Sequence, residues 1–174
     1  MMLKLCGAIL IISGTTCYGF FLSFQKKSRI ARLLALKETF IILIGQIRYA
    51  RTTIPEAFQE ISKKCSYTDI GNFYEFVAVN LKNHSCQEFS EAWNMGINTY
   101  IRDIFLTEAD CTLLKNVGNM PLYLDAQMQI AVLEETSSQL QTVIEQAQKD
   151  IHEKCKIYQS FGLIIGLLIV LILI

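Results

Sequence analysis

Proline, histidine and tryptophan are scarce in this 174-residue chain, with two prolines (Pro55, Pro121), two histidines (His84, His152) and a single tryptophan, Trp93. Proline removes a backbone donor and clashes with the preceding helical turn, so its near absence lets helices run long. No sustained period-two alternation of apolar residues suggests strands, and the middle of the chain reads as all-α. Net charge is also missing: 16 Lys and Arg balance 16 Asp and Glu. No basic run is dense enough for a nucleic-acid face, so no nucleic-acid partner is expected.

Recognisable chemistry is missing too. There is no G-x-x-x-x-G-K-[ST] loop to cradle nucleotide phosphates, no G-x-S-x-G and no H-E-x-x-H. Neither histidine has a second ligand at a metal spacing. His84-Ser85-Cys86 could pair a base with a nucleophile, but adjacent turn residues rarely aim at one substrate, and nothing nearby orients the imidazole. The carboxylate pairs Glu56/Glu60 and Glu134/Glu135 read as solvated helix faces, the first also as an interaction surface. No catalytic residue, metal or cofactor is expected, and the chain does not read as an enzyme. Six cysteines would suit three disulfides by count. However, Cys6 and Cys17 lie in an apolar stretch and no C-x-x-C occurs, which favours reduced thiols.

What the chain does have is an uncharged apolar stretch at each end, Leu5–Phe24 and Phe161–Ile174. As a helix rising about 1.5 Å per residue, the first is long enough for a hydrocarbon core of about 30 Å. The second reaches roughly 21 Å, and more if extended back to the interfacial aromatic Tyr158. Lys26, Lys27, Arg29 and Arg32 follow the first stretch; Lys149, Lys154 and Lys156 precede the second. The positive-inside tendency then places the middle in the cytoplasm. A cleaved signal peptide is the rival reading, but no A-x-A-like site follows the apolar stretch. The expected organisation is a transmembrane anchor over residues 1–25, a cytoplasmic helical domain over 26–157 and a second transmembrane helix over 158–174.

Helical periodicity fills the middle. Leu33, Leu36, Phe40, Leu43, Ile47 and Ala50 recur at 3,4 spacing, widened by Ile30, Leu34, Ile41 and Ile44. Thr53 and Glu56 form a capping-box pattern around Pro55, ahead of Ala57, Phe58 and Ile61. A third helix begins at Thr68 or Asp69. Ser85 and Glu88 predict another capping box ahead of Phe89, Ala92, Trp93 and Ile97; Thr107 and Asp110 resemble one ahead of Leu113, Leu114 and Val117. Asp125 caps the last segment, where Ile130, Leu133, Ser137, Leu140, Ile144, Ala147 and Ile151 keep a heptad rhythm. That seam suits either packing inside the domain or a coiled coil between chains. Gly162-x-x-x-Gly166 offers a small-residue face that could meet the first span, which carries Gly7 and Gly14, or another chain. The expected fold is a six-helix antiparallel bundle flanked by two membrane helices.

The order of these segments resembles the stage III sporulation protein AB family of endospore-forming bacteria. Met2 to Ala8 and Thr15 to Phe20 look like that family's start. Thr53-Ile54-Pro55-Glu56-Ala57 is similar to its T-x-L-x-E-A type helix start, and Phe89-Ser90-Glu91-Ala92-Trp93 to its Ala-Trp segment. Leu113-Leu114, Val117-Gly118 and Asp125-x-x-x-Gln129 follow its last block. Met120-Pro121-Leu122-Tyr123-Leu124-Asp125 departs from the family's Leu-Gly turn and puts any partner contact there in doubt. The resemblance implies a likeness to the helical platform domains of type II secretion and type IV pilus systems. It also implies a non-enzymatic component of the mother cell–forespore channel in the mother-cell membrane, with a secretion-type ATPase and other channel proteins as partners. Arg48, Arg51, Glu56 and Glu60 are the candidate partner surface. The rival functions are a membrane-anchored scaffold that only oligomerises and an unrecognised enzyme.

Overall fold

A computed structural model describes the backbone of residues 2–50, 52–83, 88–102, 105–120 and 125–173. In the two terminal helical ends it describes side chains only at Gly7, Leu10, 13–50 and 125–151. Those residues form six α-helices: α1 (Met2–Gly45), α2 (Ile54–Lys64), α3 (Thr68–Lys82), α4 (Phe89–Gly96), α5 (Glu108–Gly118) and α6 (Ala126–Leu173). No strand occurs among them, and the fold class is all-α. Short π-helical turns extend α1 over Gln46–Ala50 and α4 over Ile97–Ile101.

Ala31–Ile144 form one compact unit; the residues up to Ile30 and from Glu145 onward group as another. Of the expected transmembrane stretches, Leu5–Phe24 is described at Gly7, Leu10 and 13–24, and Phe161–Ile174 lies wholly outside the described side chains. Among the described residues, no helix is long and apolar enough to cross a membrane.

Within the unit Ala31–Ile144, the helices bury most of the residues that their sequence spacing anticipates. Leu33, Leu36, Phe40, Leu43 and Ile47 are buried on α1 and the following turn, and Ile130, Leu133, Ser137, Leu140 and Ile144 on α6. Two polar contacts show the relative direction of these helices. Lys37 Nζ donates to Gln141 Oε1 at 2.7 Å and Arg48 Nη2 meets Glu134 Oε1 at 2.6 Å, so α6 descends as α1 ascends. From Ile130 to Ile144 the heptad face of α6 is buried inside the chain.

The shorter helices pack around aromatic rings. Ile54, Ala57, Phe58 and Ile61 line one side of α2, and Ile70, Phe73, Tyr74 and Val77 one side of α3, both at i, i+3, i+4, i+7 spacing. Phe89, Ala92, Trp93, Gly96 and Ile97 continue the pattern through α4 and into its π turn. Trp93 stands edge-on to Phe73 with centroids 4.8 Å apart, and lies 5.8 Å from Phe58 and 5.4 Å from Phe89. Such aromatic pairs contribute about 0.5–1.5 kcal/mol each beyond burial.

Three expectations change. Ala50 is exposed, because the chain turns π-helical after Gly45 and the wider turn rotates it off the buried face. Leu34 and Ile41 are 43% and 55% exposed, so they do not widen the core stripe. Glu88 is the residue before α4, not a member of its first turn, and its carboxylate accepts from Ser90 Oγ at 3.2 Å. The capping box expected from Ser85 therefore does not start this helix at that register. Ser85 itself, with His84 and Cys86, lies outside the described residues.

Candidate interaction surface

The partner-facing residues expected from sequence converge where α1 ends. Helix α1 passes into the π turn Gln46–Ala50, and α2 restarts after Thr53, whose extended backbone (φ −67°, ψ 149°) breaks the helix. Pro55 sits in the first turn of α2, where its missing N–H costs nothing. The Glu56 carboxylate accepts the Thr53 backbone N–H at 3.2 Å. Hydrogen bonds from the Thr53 side chain and backbone hold Glu56 below the usual carboxylate range.

Charged and amide groups tie three elements together here. Gln46 Nε2 donates to Glu60 Oε2 at 2.9 Å, joining the π turn to α2; Thr52 Oγ1 donates to Gln46 Oε1 at 3.2 Å. Arg48 pairs with Glu134 of α6, and that hydrogen bond is the main cause raising the Arg48 pKa above its ordinary value. Glu60 also meets Lys64 at 3.5 Å. Exposed ion pairs of this kind add little stability because water and salt screen them. Their arrangement is more informative than their energy: Arg48, Glu56 and Glu60 remain exposed around one helix junction. Arg51, the fourth expected member, lies outside the described residues.

Beside the Arg48–Glu134 pair runs an open cleft of about 760 Å³ between the π turn and the start of α6, lined by Ile47, Thr52, Ile54, Gln129 and Ile130. Asp125 caps α6 as expected: its carboxylate accepts the Gln127 N–H at 3.3 Å and its carbonyl the N–H groups of Met128 and Gln129. Gln129 is buried at this helix start. The cleft opens beside the exposed Arg48–Glu134 pair. Among the described residues, no cluster of three or more His, Cys, Asp or Glu could hold a metal ion.

The remaining motif residues form a packing unit. Trp93 is fully buried, and its Nε1 donates to the Leu114 carbonyl at 2.8 Å. The indole presses against Gly118, where a Cβ would lie 2.7 Å from Trp93 Cδ1. Ala57 and Ala92 are buried to 0% exposure, which lets α2 and α4 approach the ring cluster closely. Gly7 and Gly14 are exposed on α1, and a Cβ at either meets nothing described within 4 Å. What faces Gly162 and Gly166 lies outside the described side chains.

Sequence reasoning did not anticipate the buried pair between Thr39 and Tyr74, 2.7 Å apart. The Thr39 hydroxyl hydrogen is committed to the Leu36 carbonyl at 2.7 Å, so Tyr74 donates to Thr39. Burial pushes the Tyr74 phenol well above its ordinary pKa. A threonine three residues after Leu36 in a long helix is the available signal, but its partner is 35 residues away.

A profile of the stage III sporulation protein AB family matches residues 4–174. The stage III sporulation protein AB of Bacillus subtilis (strain 168) is 24% identical over 172 residues, covering 99% of each chain. A solved structure of a stage III sporulation protein AB aligns with a TM-score of 0.64 at 18% identity, covering 71% of this chain and 96% of that one. At that identity the structural likeness speaks to the fold.

Proposed function

Because the chain belongs to the stage III sporulation protein AB family, we propose that it is a non-enzymatic platform component of the channel between mother cell and forespore. In this reading, Ala31–Ile144 carry the core of a six-helix antiparallel bundle in the mother-cell cytoplasm. The apolar ends Leu5–Phe24 and Phe161–Ile174 tether the chain to the mother-cell membrane. A secretion-type ATPase docks on the bundle, and other channel proteins meet it in the membrane.

The observation that carries the reading is the junction at the end of α1. Arg48 on the π turn holds Glu134 of α6, and Gln46 holds Glu60 of α2, so a partner bound there contacts α1, α2 and α6 at once. Helices α1 and α6 are single helices of 44 and 48 residues, each including one of the apolar ends. A push on the junction would thus act on both membrane-tethered helices. A scaffold that merely oligomerises has less support, since the α6 heptad face is already buried within the chain.

The test uses the full-length chain in lipid nanodiscs with a secretion-type ATPase purified from the same host. Binding is expected, together with a change in ATP turnover. Arg48→Ala should weaken binding while leaving the melting temperature of the chain unchanged. Absence of binding by the intact chain, or full binding by Arg48→Ala, would overturn the ATPase-docking assignment at this junction.

A further inference from the structure

The residues up to Ile30 and from Glu145 onward group as one unit, whose elements are the N-terminal part of α1 and the C-terminal part of α6. Within it, α1 has two unlike sides. Tyr18, Phe20, Phe21 and Phe24 are each more than half exposed, and Gly7 and Gly14 are exposed as well. Gly19 and Ser23 are buried, with Thr15, Thr16, Leu22 and Lys26 half-buried around them. Thr15, Gly19 and Ser23 recur every fourth residue, so they form one stripe of small side chains. Ser23 is 3% exposed, and its Oγ has no hydrogen-bond partner among the described residues. A hydroxyl shut in without an acceptor is costly in apolar surroundings, so whatever covers it must bring one. The large rings of this helix thus face outward, and its smallest residues face a neighbour.

We propose that the neighbour is α6 of the same chain, and that the two apolar ends pair in the membrane through Thr15-x-x-x-Gly19-x-x-x-Ser23 on α1 and Gly162-x-x-x-Gly166 on α6. Lipid tails are as apolar as leucine, so membrane helices associate where small residues let the backbones close. The level of the pairing comes from the contacts of Lys37 with Gln141 and of Arg48 with Glu134, between helices that run in opposite directions. Both helices are unbroken, of 44 and 48 residues, and rise equally per residue. Carried back along them, the same offset brings Gly19 within a turn of Gly162 and Thr15 within a turn of Gly166. Close approach there also brings backbone carbonyls of α6 towards the Ser23 hydroxyl. Gly7 and Gly14, the small residues that the sequence offered for this contact, lie on the exposed side. The pairing rests on the reading of both ends as membrane tethers and extends it, since two paired tethers move as one element.

The experiment uses the full-length chain in membranes of its host, with Cys6, Cys17 and Cys155 changed to Ser and cysteines introduced in pairs. A copper–phenanthroline oxidant should close Gly19→Cys with Gly162→Cys, and Thr15→Cys with Gly166→Cys, each within one chain, as read by gel mobility and mass spectrometry. Gly14→Cys paired with Gly166→Cys lies at the same level but about 100° round α1 from Thr15, and should not close. Gly19→Leu should slow the Thr15/Gly166 closure about tenfold or more. Phe21→Leu, on the exposed side, should leave it unchanged. Closure only between two chains, equal closure from Gly14 and Thr15, or no effect of Gly19→Leu overturns the pairing. A carbonate wash separates this from the tether. A chain retained in the membrane without either disulfide overturns the pairing alone, and a chain released by the wash overturns the tether together with it.

Discussion

Gly118→Ala sets a small, usually favourable change against a packing constraint. In an exposed helix interior, Ala is favoured over Gly by about 0.8–1 kcal/mol. At the last residue of α5 that gain is reduced, and the new methyl would lie 2.7 Å from Trp93 Cδ1, 3.1 Å from Cγ and 3.2 Å from Cβ. The indole cannot slide away freely. Its Nε1 is held by the Leu114 carbonyl, and Phe58, Phe73, Tyr74 and Phe89 stand around it. Overpacking of this kind costs about 1–3 kcal/mol. If the ring moves far enough to lose its hydrogen bond, a buried donor left unmet costs about 1–3 kcal/mol more. The expected net loss is about 2–4 kcal/mol, a drop in Tm of roughly 4–16 °C for a chain of this size. Trp93 is the only tryptophan, so its emission reports the displacement directly while circular dichroism reports the melt. Trp93→Phe in the Gly118→Ala background shrinks the ring and should recover part of the loss relative to the sum of the two single changes. An unchanged or raised Tm for Gly118→Ala, with unchanged emission, would refute the reasoning.

Two further outcomes follow from buried polar groups. Tyr74 is neutral in the folded chain, and its folded pKa is raised above the ordinary value of 10.0 by burial. The unfolded chain releases that proton first, so the contribution is fully present below about pH 10 and is lost as pH rises through the ordinary towards the folded pKa. Tyr74→Phe should flatten this alkaline fall in Tm, and at neutral pH cost about 1 kcal/mol for the lost bond to Thr39. Melting curves from pH 7 to 11 check both, and an equally steep fall in the variant would count against the assignment. At the start of α5, Thr107 Oγ1 accepts the Asp110 N–H at 3.2 Å while Asp110 Oδ2 accepts the Thr107 N–H at 2.8 Å. Thr107→Ala should cost about 1 kcal/mol and Thr107→Ser almost nothing; equal Tm values for the two would argue that the cap is idle.

Local periodicity carried most of the fold. The 3,4 rhythm of Leu33 to Ile47 and of Ile130 to Ile144 was enough to mark the buried faces of α1 and α6. Thr107 and Asp125 marked the starts of α5 and α6 because capping is a contact between near neighbours in sequence. What local spacing missed depended on distant partners or on a change of helical pitch. Ala50 fits the α-helical stripe and leaves it only because the turn after Gly45 widens. Leu34 and Ile41 satisfy the same periodicity as core residues, and no neighbour in sequence tells that their side of α1 is left uncovered. The tie from Trp93 to Leu114 spans 21 residues and cannot be read from either segment alone. The junction was only partly visible: the polar residues Arg48, Glu56 and Glu60 could be named, but not that Gln46 and Glu134 would join them.

Core and surface residues should therefore separate in experiment. Ala57, Ala92, Trp93 and Leu114, which carry the family resemblance, are exposed by no more than 2%, and Gly118 packs on the Trp93 ring. They fix how α2, α4 and α5 meet, so a resemblance resting on them is a strong warrant for the fold and an indirect one for any partner. Arg48 is exposed, so changing it removes little that the folded chain needs. Held below its lowered Tm, Gly118→Ala should retain partner binding, since its surface is intact. Arg48→Ala should show the reverse, with an unaltered melt and weakened contact at the junction. Measuring Tm and binding on both variants distinguishes the two classes. If Gly118→Ala loses binding while still folded, the packing around Trp93 reaches the partner surface, and the division between a structural core and a separate contact surface fails.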